Sequence, residues 1–468
     1  MMRRIFQRQV RDNFLSLRFQ LGLITAVLFF ALNGFVYSWR AEQVVEEDAR
    51  IMADADAGYE RVTTVAQLSD ARLTIPARPR GTEFITEGGF NWFHDALLVT
   101  PWWTQGGGSV RLESLRTTNN WMRRFELLDW TVIVRYVLSF LCVVLAYNAV
   151  SGEVESGTLR LVLSNPVSRA AFLGGKLLAH LVTLLVAVVA GMAVSLLILS
   201  LHGAVELNGD TTRSCVLFFV GATAYAALFL LLGTGISVLT RSSATSLVFL
   251  ITAWTLVVVV VPQTSYLIAT RTVPSAGNLS WLLREHEMQV QQAIIREGLL
   301  PREPAQARVD DYALERRFAE RVADVVTEGD RILHDAYRQD RRQYEVARTI
   351  HLISPGYAFQ YAVEAVLGSG LARFDRFHAD GWRYRDHLRA FLRERDAADP
   401  ESPHITILEN FTSAAELDPG EIPRFEQREL PLADGLVAGT GPVAVLILET
   451  GLALLFAVVA FQRADVSA

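Results

Sequence analysis

Apolar residues along the chain gather into six runs nearly free of charge, and arginine, aspartate and glutamate crowd the stretches between them. The runs are Phe19 to Tyr37, Trp130 to Val150, Leu177 to Leu201, Ser214 to Leu239, Ala244 to Ala269 and Gly441 to Phe461. As helices rising about 1.5 Å per residue, runs of this length cross roughly 30 Å of hydrocarbon. A membrane barrel would instead show strands alternating apolar and polar side chains, and no such alternation occurs. With no water in the bilayer to satisfy backbone amides, helices are the expected spans. The first run follows a basic stretch, as a signal peptide does, but it lacks a small-x-small cleavage site and reads as a retained helix.

Charge sets the expected orientation. Arg3, Arg4, Arg8, Arg11 and Arg18 precede the first run against Asp12 alone. Arg160, Arg169 and Lys176 lie between the second and third runs, Arg241 between the fourth and fifth, and Arg463 after the sixth. The positive-inside rule puts all of these in the cytoplasm, with both termini inside. The expected divisions are an amphipathic helix over 1–18, spans at 19–37, 130–150, 177–201, 214–239, 244–269 and 441–461, a cytoplasmic loop at 151–176 and a tail at 462–468. Outside lie 40–129, a short turn near His202 to Arg213, and 271–440.

The first outer segment is mixed. Pro76, Pro79 and Gly106 to Gly108 break it, and Trp102, Trp103, Trp121 and Trp130 suit the headgroup zone. The second reads as helical, because Leu314, Phe318, Val322, Val325, Leu333, Tyr337 and Tyr344 recur near helical spacing. Pro355 and Gly356 are expected to end that helix. Further helices are expected over Tyr357 to Leu367 and Tyr384 to Arg395, with a polar return through Pro403, Pro423 and Pro431. Near the amino terminus Phe6, Val10, Phe14 and Leu17 share one face and arginines the other, the pattern of a helix lying in the membrane interface. The fold class is thus an all-α integral membrane protein of six spans, with a largely helical outer domain between the last two.

Apolar residues make up 51% of the chain and the net charge is -6, which gives no basis for a nucleic-acid partner. Cys142 and Cys215, in or beside apolar runs, read as small core residues. Lys176 is the only lysine, and this reads as a bias of composition. No phosphate-binding loop of the Gly-x-x-x-x-Gly-Lys-Ser/Thr kind is present, so the sequence offers no nucleotide site of its own. His-Glu-x-x-His, Gly-x-Ser-x-Gly and Cys-x-x-Cys are missing too, leaving no basis for a catalytic, metal or cofactor site. His286–Glu287 and the pair His378 and His387 read as solvated or structural.

Between the second and third runs, Thr158 to Ser164 is apolar enough for about two helical turns along the membrane face, stopped by Asn165 and Pro166, with Ser168 capping the next helix. A short helix there can transmit a push if a partner grips it, with Glu153, Glu155 and Arg160 as charged handles; otherwise it is a solvated loop. The stretch Leu145 to Lys176, LAYNAVSGEVESGTLRLVLSNPVSRAAFLGGK, resembles the cytoplasmic signature of ABC type-2 permeases. The order of elements is similar as well, including the glycine-bearing fourth span and basic turn GTGISVLTRSSATS. His351 to Gly370 and Ile422 to Pro431 resemble a branch with a large domain between the last two spans. Gln9 and Asn148 stand where acidic residues are expected.

The resemblance implies a permease of a bacterial inner membrane that dimerises with itself or a paralogue in the lipid bilayer and docks a cytoplasmic pair of ABC ATPase subunits, which would hold the ATP and its magnesium. Glu153, Glu155, Thr158, Leu159, Arg160 and Leu163 would carry the coupling, with Ile5 to Leu17 bordering the ATPase, and the direction would be export. A second reading keeps the ATPase but moves no cargo, the outer domain pulling on a periplasmic partner; a third is a receptor or scaffold without energy coupling. Within the spans, Asn33, Arg135 and Glu449 stand out, since a carboxylate at such depth is costly unless neutralised or paired. They are expected in one polar layer, with Arg135 and Glu449 paired within or between subunits, or else snorkelling independently. His180 reads as a satisfied packing residue.

Overall fold

The computed structural model describes residues 2–88, 95–102, 108–113, 128–159, 164, 168–274, 279–299, 301 and 312–463. Six helical stretches are long and apolar enough to span a membrane: Leu17–Ala41, Trp130–Glu155, Arg169–Leu201, Gly209–Leu239, Ser243–Thr272 and Leu432–Arg463. They form one bundle. A large domain covers one end, together with the short turn between the third and fourth spans, and the other connections lie at the opposite end.

The amino-terminal helix α1 (Met2–Leu15) stops at Ser16, whose hydroxyl caps α2 by accepting from Phe19 N. Helix α2 (Leu17–Glu60) does not end with the membrane. It continues beyond Ala41 for a further 19 residues, about 28 Å by helical rise. A short α3 (Val65–Ser69) and strands β1 (Leu73–Pro76), β2 (Ala96–Val99) and β3 (Val110–Glu113) follow. The strands form an antiparallel sheet in the order β1-β2-β3, with Leu73 opposite Val99 and Ala96 opposite Glu113. This sheet is an addition to the helical fold expected from the sequence.

The second span is built from α4 (Trp130–Val132), a π-helical stretch (Ile133–Leu138) and α5 (Ser139–Ala146), and continues through a turn into α6 (Ser151–Glu155). The third and fourth spans are α7 (Arg169–Leu201) and α8 (Gly209–Leu239). The fifth is α9 (Ser243–Trp254), a second π-helical stretch (Thr255–Val260) and α10 (Val261–Thr272). In the domain, α11 (Leu279–Arg296), α12 (Ala313–His351), α13 (Pro355–Val366) and α14 (Leu371–Ala397) precede α15 (Leu432–Arg463), the sixth span. Pro355 and Gly356 do not end the long helix. It stops at His351, and Pro355 opens α13 at a first-turn position, where its missing N–H is no loss.

Two large apolar cores, one in the bundle and one in the domain, dominate the described residues. The domain core joins Tyr59 of α2, Leu73, Leu97 and Val110 of the sheet, and Phe377 and Leu388 of α14. Gly381 of α14 lets the sheet approach, since a Cβ there would lie 2.4 Å from Leu97 Cδ1. The bundle core centres on Trp130, which is fully buried against Phe30, Phe84 and Phe218 at ring separations of 5.7, 5.0 and 5.5 Å. Trp130 is therefore a packing residue and not a headgroup anchor, and Trp102 is likewise buried, under the guanidinium groups of Arg389 and Arg393. Trp103 and Trp121 lie outside the described residues.

Helix α13 departs furthest from expectation. Its Phe359 stacks on Tyr225 of α8 with ring centres 5.0 Å apart, and Ala365 packs on Gly435 and Gly439 of α15. The apolar side chains of this helix are satisfied by the spans themselves, so it is wedged among them and not displayed on the domain.

Candidate energy-coupling junction

At the loop end of the bundle, polar contacts tie α6 to three other spans. The N–H groups of Val150 and Ser151 both donate to Ser237 Oγ near the end of α8, at 3.1 and 3.0 Å. Gly233 brings α8 close enough for this, since a Cβ there would lie 2.5 Å from Ala146 Cβ. Glu155 closes α6 and accepts from Ser243 N at 3.0 Å and from Ser243 Oγ at 2.6 Å. Ser242 makes no side-chain capping bond of its own, so Glu155 supplies the carboxylate that the amino end of α9 lacks.

Glu153 takes the third tie. Its Oε1 lies 2.8 Å from Lys176 Nζ, and Thr158 Oγ1 donates to its Oε2. Lys176 Nζ also donates to Ala149 O at 2.7 Å and lies 5.0 Å from the Phe172 ring centre. The lysine side chain is only 7% exposed and the glutamate 28%, so the ion pair is mostly shielded from water. Arg169 extends the set by donating to Phe461 O and Gln462 O at 3.0 and 2.8 Å, which satisfies carbonyls at the end of α15.

Residues 6–466 match the family model described as ABC-2 family transporter protein. The chain belongs to that family. It is accordingly a membrane-spanning permease subunit of an ABC transporter, a class whose ATPase is a separate subunit. No curated protein matches it.

In this ABC-2 permease the acids expected to project as charged handles are engaged by the chain itself, Glu153 half-buried and Glu155 at the exposed surface. Glu153 and Glu155 each bind the chain's own helices. Leu159 is buried with Val150, Phe172, Leu173 and Phe461, which fixes the loop just past α6. Arg160 and Leu163 lie outside the described residues, as does most of the short helix expected over Thr158 to Ser164. The sequence reading missed Lys176, Ser237 and Ser243. The one usable signal was that Lys176 is the chain's sole lysine.

Helix α1 lies along α7. Ile5 meets Gly175, where a Cβ would come within 3.2 Å of Ile5 Cγ2, and Asn13 Nδ2 contacts His180 Nδ1 at 3.1 Å and Thr183 Oγ1 at 3.2 Å. His180 is only half satisfied, because its Nε2 is buried without a partner. Phe14, Leu15 and Leu17 remain exposed at the junction of α1 and α2, as an interfacial helix requires.

Among the described residues no contact joins Asn33, Arg135 and Glu449 to one another. Asn33 Nδ2 donates to Leu128 O at 2.7 Å, and its Oδ1 accepts from Ser195 Oγ at 2.9 Å. Arg135 is fully buried and binds α13: it donates to Gln360 Oε1, and its guanidinium lies 4.5 and 4.4 Å from the ring centres of Tyr136 and Tyr357. Gly356 makes room for it, since a Cβ there would sit 2.7 Å from Arg135 Cγ. Among the described residues Glu449 Oε2 is buried without a hydrogen-bond partner. Among the same residues Arg135 and Glu449 form no pair within the protomer, where the arginine is engaged by Gln360 and Tyr357 of α13.

Proposed function

We propose that this chain is one protomer of an exporter in a bacterial inner membrane, with both termini cytoplasmic, paired with a second copy or paralogue and driven by two ABC ATPase subunits docked on the loop that follows the second span. The observation that carries the reading is the junction around α6. A displacement imposed on α6 moves the second span directly, the third through Glu153–Lys176, the fourth through Ser237 and the fifth through Glu155–Ser243. Such ties suit force transmission better than recognition. The exposed Val154 and the turn at Ser156 and Gly157 remain for a partner to grip.

The test is co-expression with an ABC ATPase encoded beside the gene. Co-purification is expected, with ATPase activity that falls when Glu153 and Glu155 are both changed to lysine while membrane insertion persists. Unchanged activity, or a complex that works with no ATPase, would refute the reading. Orientation is tested separately: Arg317→Cys, exposed on α12, should react with a membrane-impermeant maleimide from outside the cell, and reaction only after the cytoplasm is opened would invert the topology.

A second reading is favoured by α2, which runs as one helix of 44 residues from the loop end through the membrane into the domain core. A rod about 66 Å long would carry motion outward to a periplasmic partner without any cargo path. ATPase activity controlled by a periplasmic protein, and not by a transported substrate, would select it.

A further inference from the structure

Five arginines, Arg78, Arg80, Arg373, Arg376 and Arg428, surround a cavity of about 170 Å³ together with Gly368, Gln427 and Leu430. That is room for a few water molecules at the roughly 30 Å³ each occupies in the liquid. One carboxylate, Glu429, lines the same space. Three of the arginines are matched at its edge: Arg373 to Glu83 at 3.8 Å, Arg376 to Asp434 at 2.9 Å and Arg428 to Asp380 at 2.9 Å. Among the described residues neither Arg78 nor Arg80 has a carboxylate within ion-pair distance. Arg80 Nη1 donates to Gly368 O, and Gly368, in the left-handed region at φ +67°, has no side chain to block it. Glu429 and Glu83 offset part of the Arg80 charge from a distance, so five guanidinium groups face four carboxylates, Glu83, Glu429, Asp434 and Asp380, and one positive charge is left over.

Its place in the fold says what kind of anion reaches it. Leu430 stands two residues before α15, and Arg80 feels the charges of Asp210 and Arg213 at the start of α8, so the cavity opens where the domain meets two spans. Immediately below, Leu432, Leu436 and Val437 are exposed on α15 at 39%, 51% and 75%, an apolar track next to the guanidinium groups.

We propose that this cavity is a phosphate-binding site at the membrane boundary, in which Arg78 and Arg80 grip a phosphate group, that of an anionic phospholipid whose acyl chains follow Leu432 to Val437 or that of a soluble phosphate. Guanidinium groups suit it, because their planar forks bind phosphate oxygens in pairs. Occupancy would join the segment after β1, the end of α13, α14 and the approach to the sixth span, holding the domain to the bundle at one point.

The test uses the full-length permease, purified and delipidated in neutral detergent. Dioleoylphosphatidylglycerol, dioleoylphosphatidylcholine and inorganic phosphate are each titrated, and binding is read by native mass spectrometry for the lipids and thermal shift for phosphate. Phosphatidylglycerol should bind more tightly than phosphatidylcholine, and the Arg78→Gln/Arg80→Gln double variant should weaken it about ten-fold or more, whereas Arg317→Gln on α12 should not. Arg78→Gln alone, at an exposed side chain with no bonded partner, guards against misfolding and should weaken binding several-fold. Lipid binding without a phosphate effect assigns the site to lipid, and phosphate binding that competes with lipid assigns it to a soluble anion. No binding of either, or binding undiminished in the double variant, overturns the proposal.

Discussion

Replacing Glu153 by glutamine leaves the Lys176 ammonium shielded from water with neutral acceptors alone: Ala149 O, the Phe172 ring and the new amide oxygen. A charge-assisted bond contributes about 1.5–3 kcal/mol, and stranding a fully buried charge costs about 3–5 kcal/mol. The 28% exposure of Glu153 admits some solvent, which places Glu153→Gln near 2–3 kcal/mol. Lys176→Met strands less, because Glu153 keeps Thr158 and can turn to water, so its cost should be smaller by about 1 kcal/mol. The double variant removes both charges and should be more stable than the sum of the single losses implies, with a coupling of about 1.5–2 kcal/mol. Unfolding titrations with SDS in mixed micelles, run on all four proteins, measure the cycle. With the ATPase bound, each single variant should also lose turnover several-fold. A coupling below about 0.5 kcal/mol would refute the clamp.

Gly191→Ala should destabilise the contact between the first and third spans by about 1–3 kcal/mol, because its Cβ would lie 2.4 Å from Phe30 Cδ2 and that ring is locked against Trp130. Gly451→Ala, with nothing within 4 Å, should be neutral or mildly stabilising; equal effects in the same SDS titration would refute the packing account. In the domain, burial lowers the His378 imidazole from its ordinary 6.5 to about 4, and its Nε2 accepts from Trp382 Nε1 at 3.2 Å. The folded domain therefore keeps His378 neutral while the unfolded chain takes up a proton. Its contribution is fully present above about pH 6.5 and is lost as the pH falls towards 4, by at most about 3 kcal/mol. Tryptophan fluorescence followed through acid unfolding should show this slope flattened in His378→Gln, and an unchanged slope would assign the acid sensitivity elsewhere.

The spans were legible because the bilayer demands a property that single residues carry, an uninterrupted run of apolar side chains. Their extents were less so: nothing in Glu42 to Glu60 marks the charged continuation of α2 as part of the same helix. The sheet escaped notice because its strands are four residues each and sit in a segment broken by proline and glycine. Helix α13 was expected as a helix but not as a wedge, since its Phe359 and Ala365 would serve equally in a domain core. The charged residues were recognised as important, yet their partners were not. Glu155 meets Ser243 and Arg135 meets Gln360 across 88 and 225 positions of sequence, and only the fold brings them together. Within the protomer Arg135 meets Gln360 and not Glu449, because complementary charge alone does not name the neighbour that the fold will offer.

The sole lysine at the junction has a practical corollary. Side-chain amines are the target of common acylating labels and cross-linkers, and in this protein the only one is folded away beneath Phe172 and Glu153. Modification of Lys176 by such a reagent would therefore report a single event, the moment the third span lets go of α6, and its rate during turnover would time that opening directly.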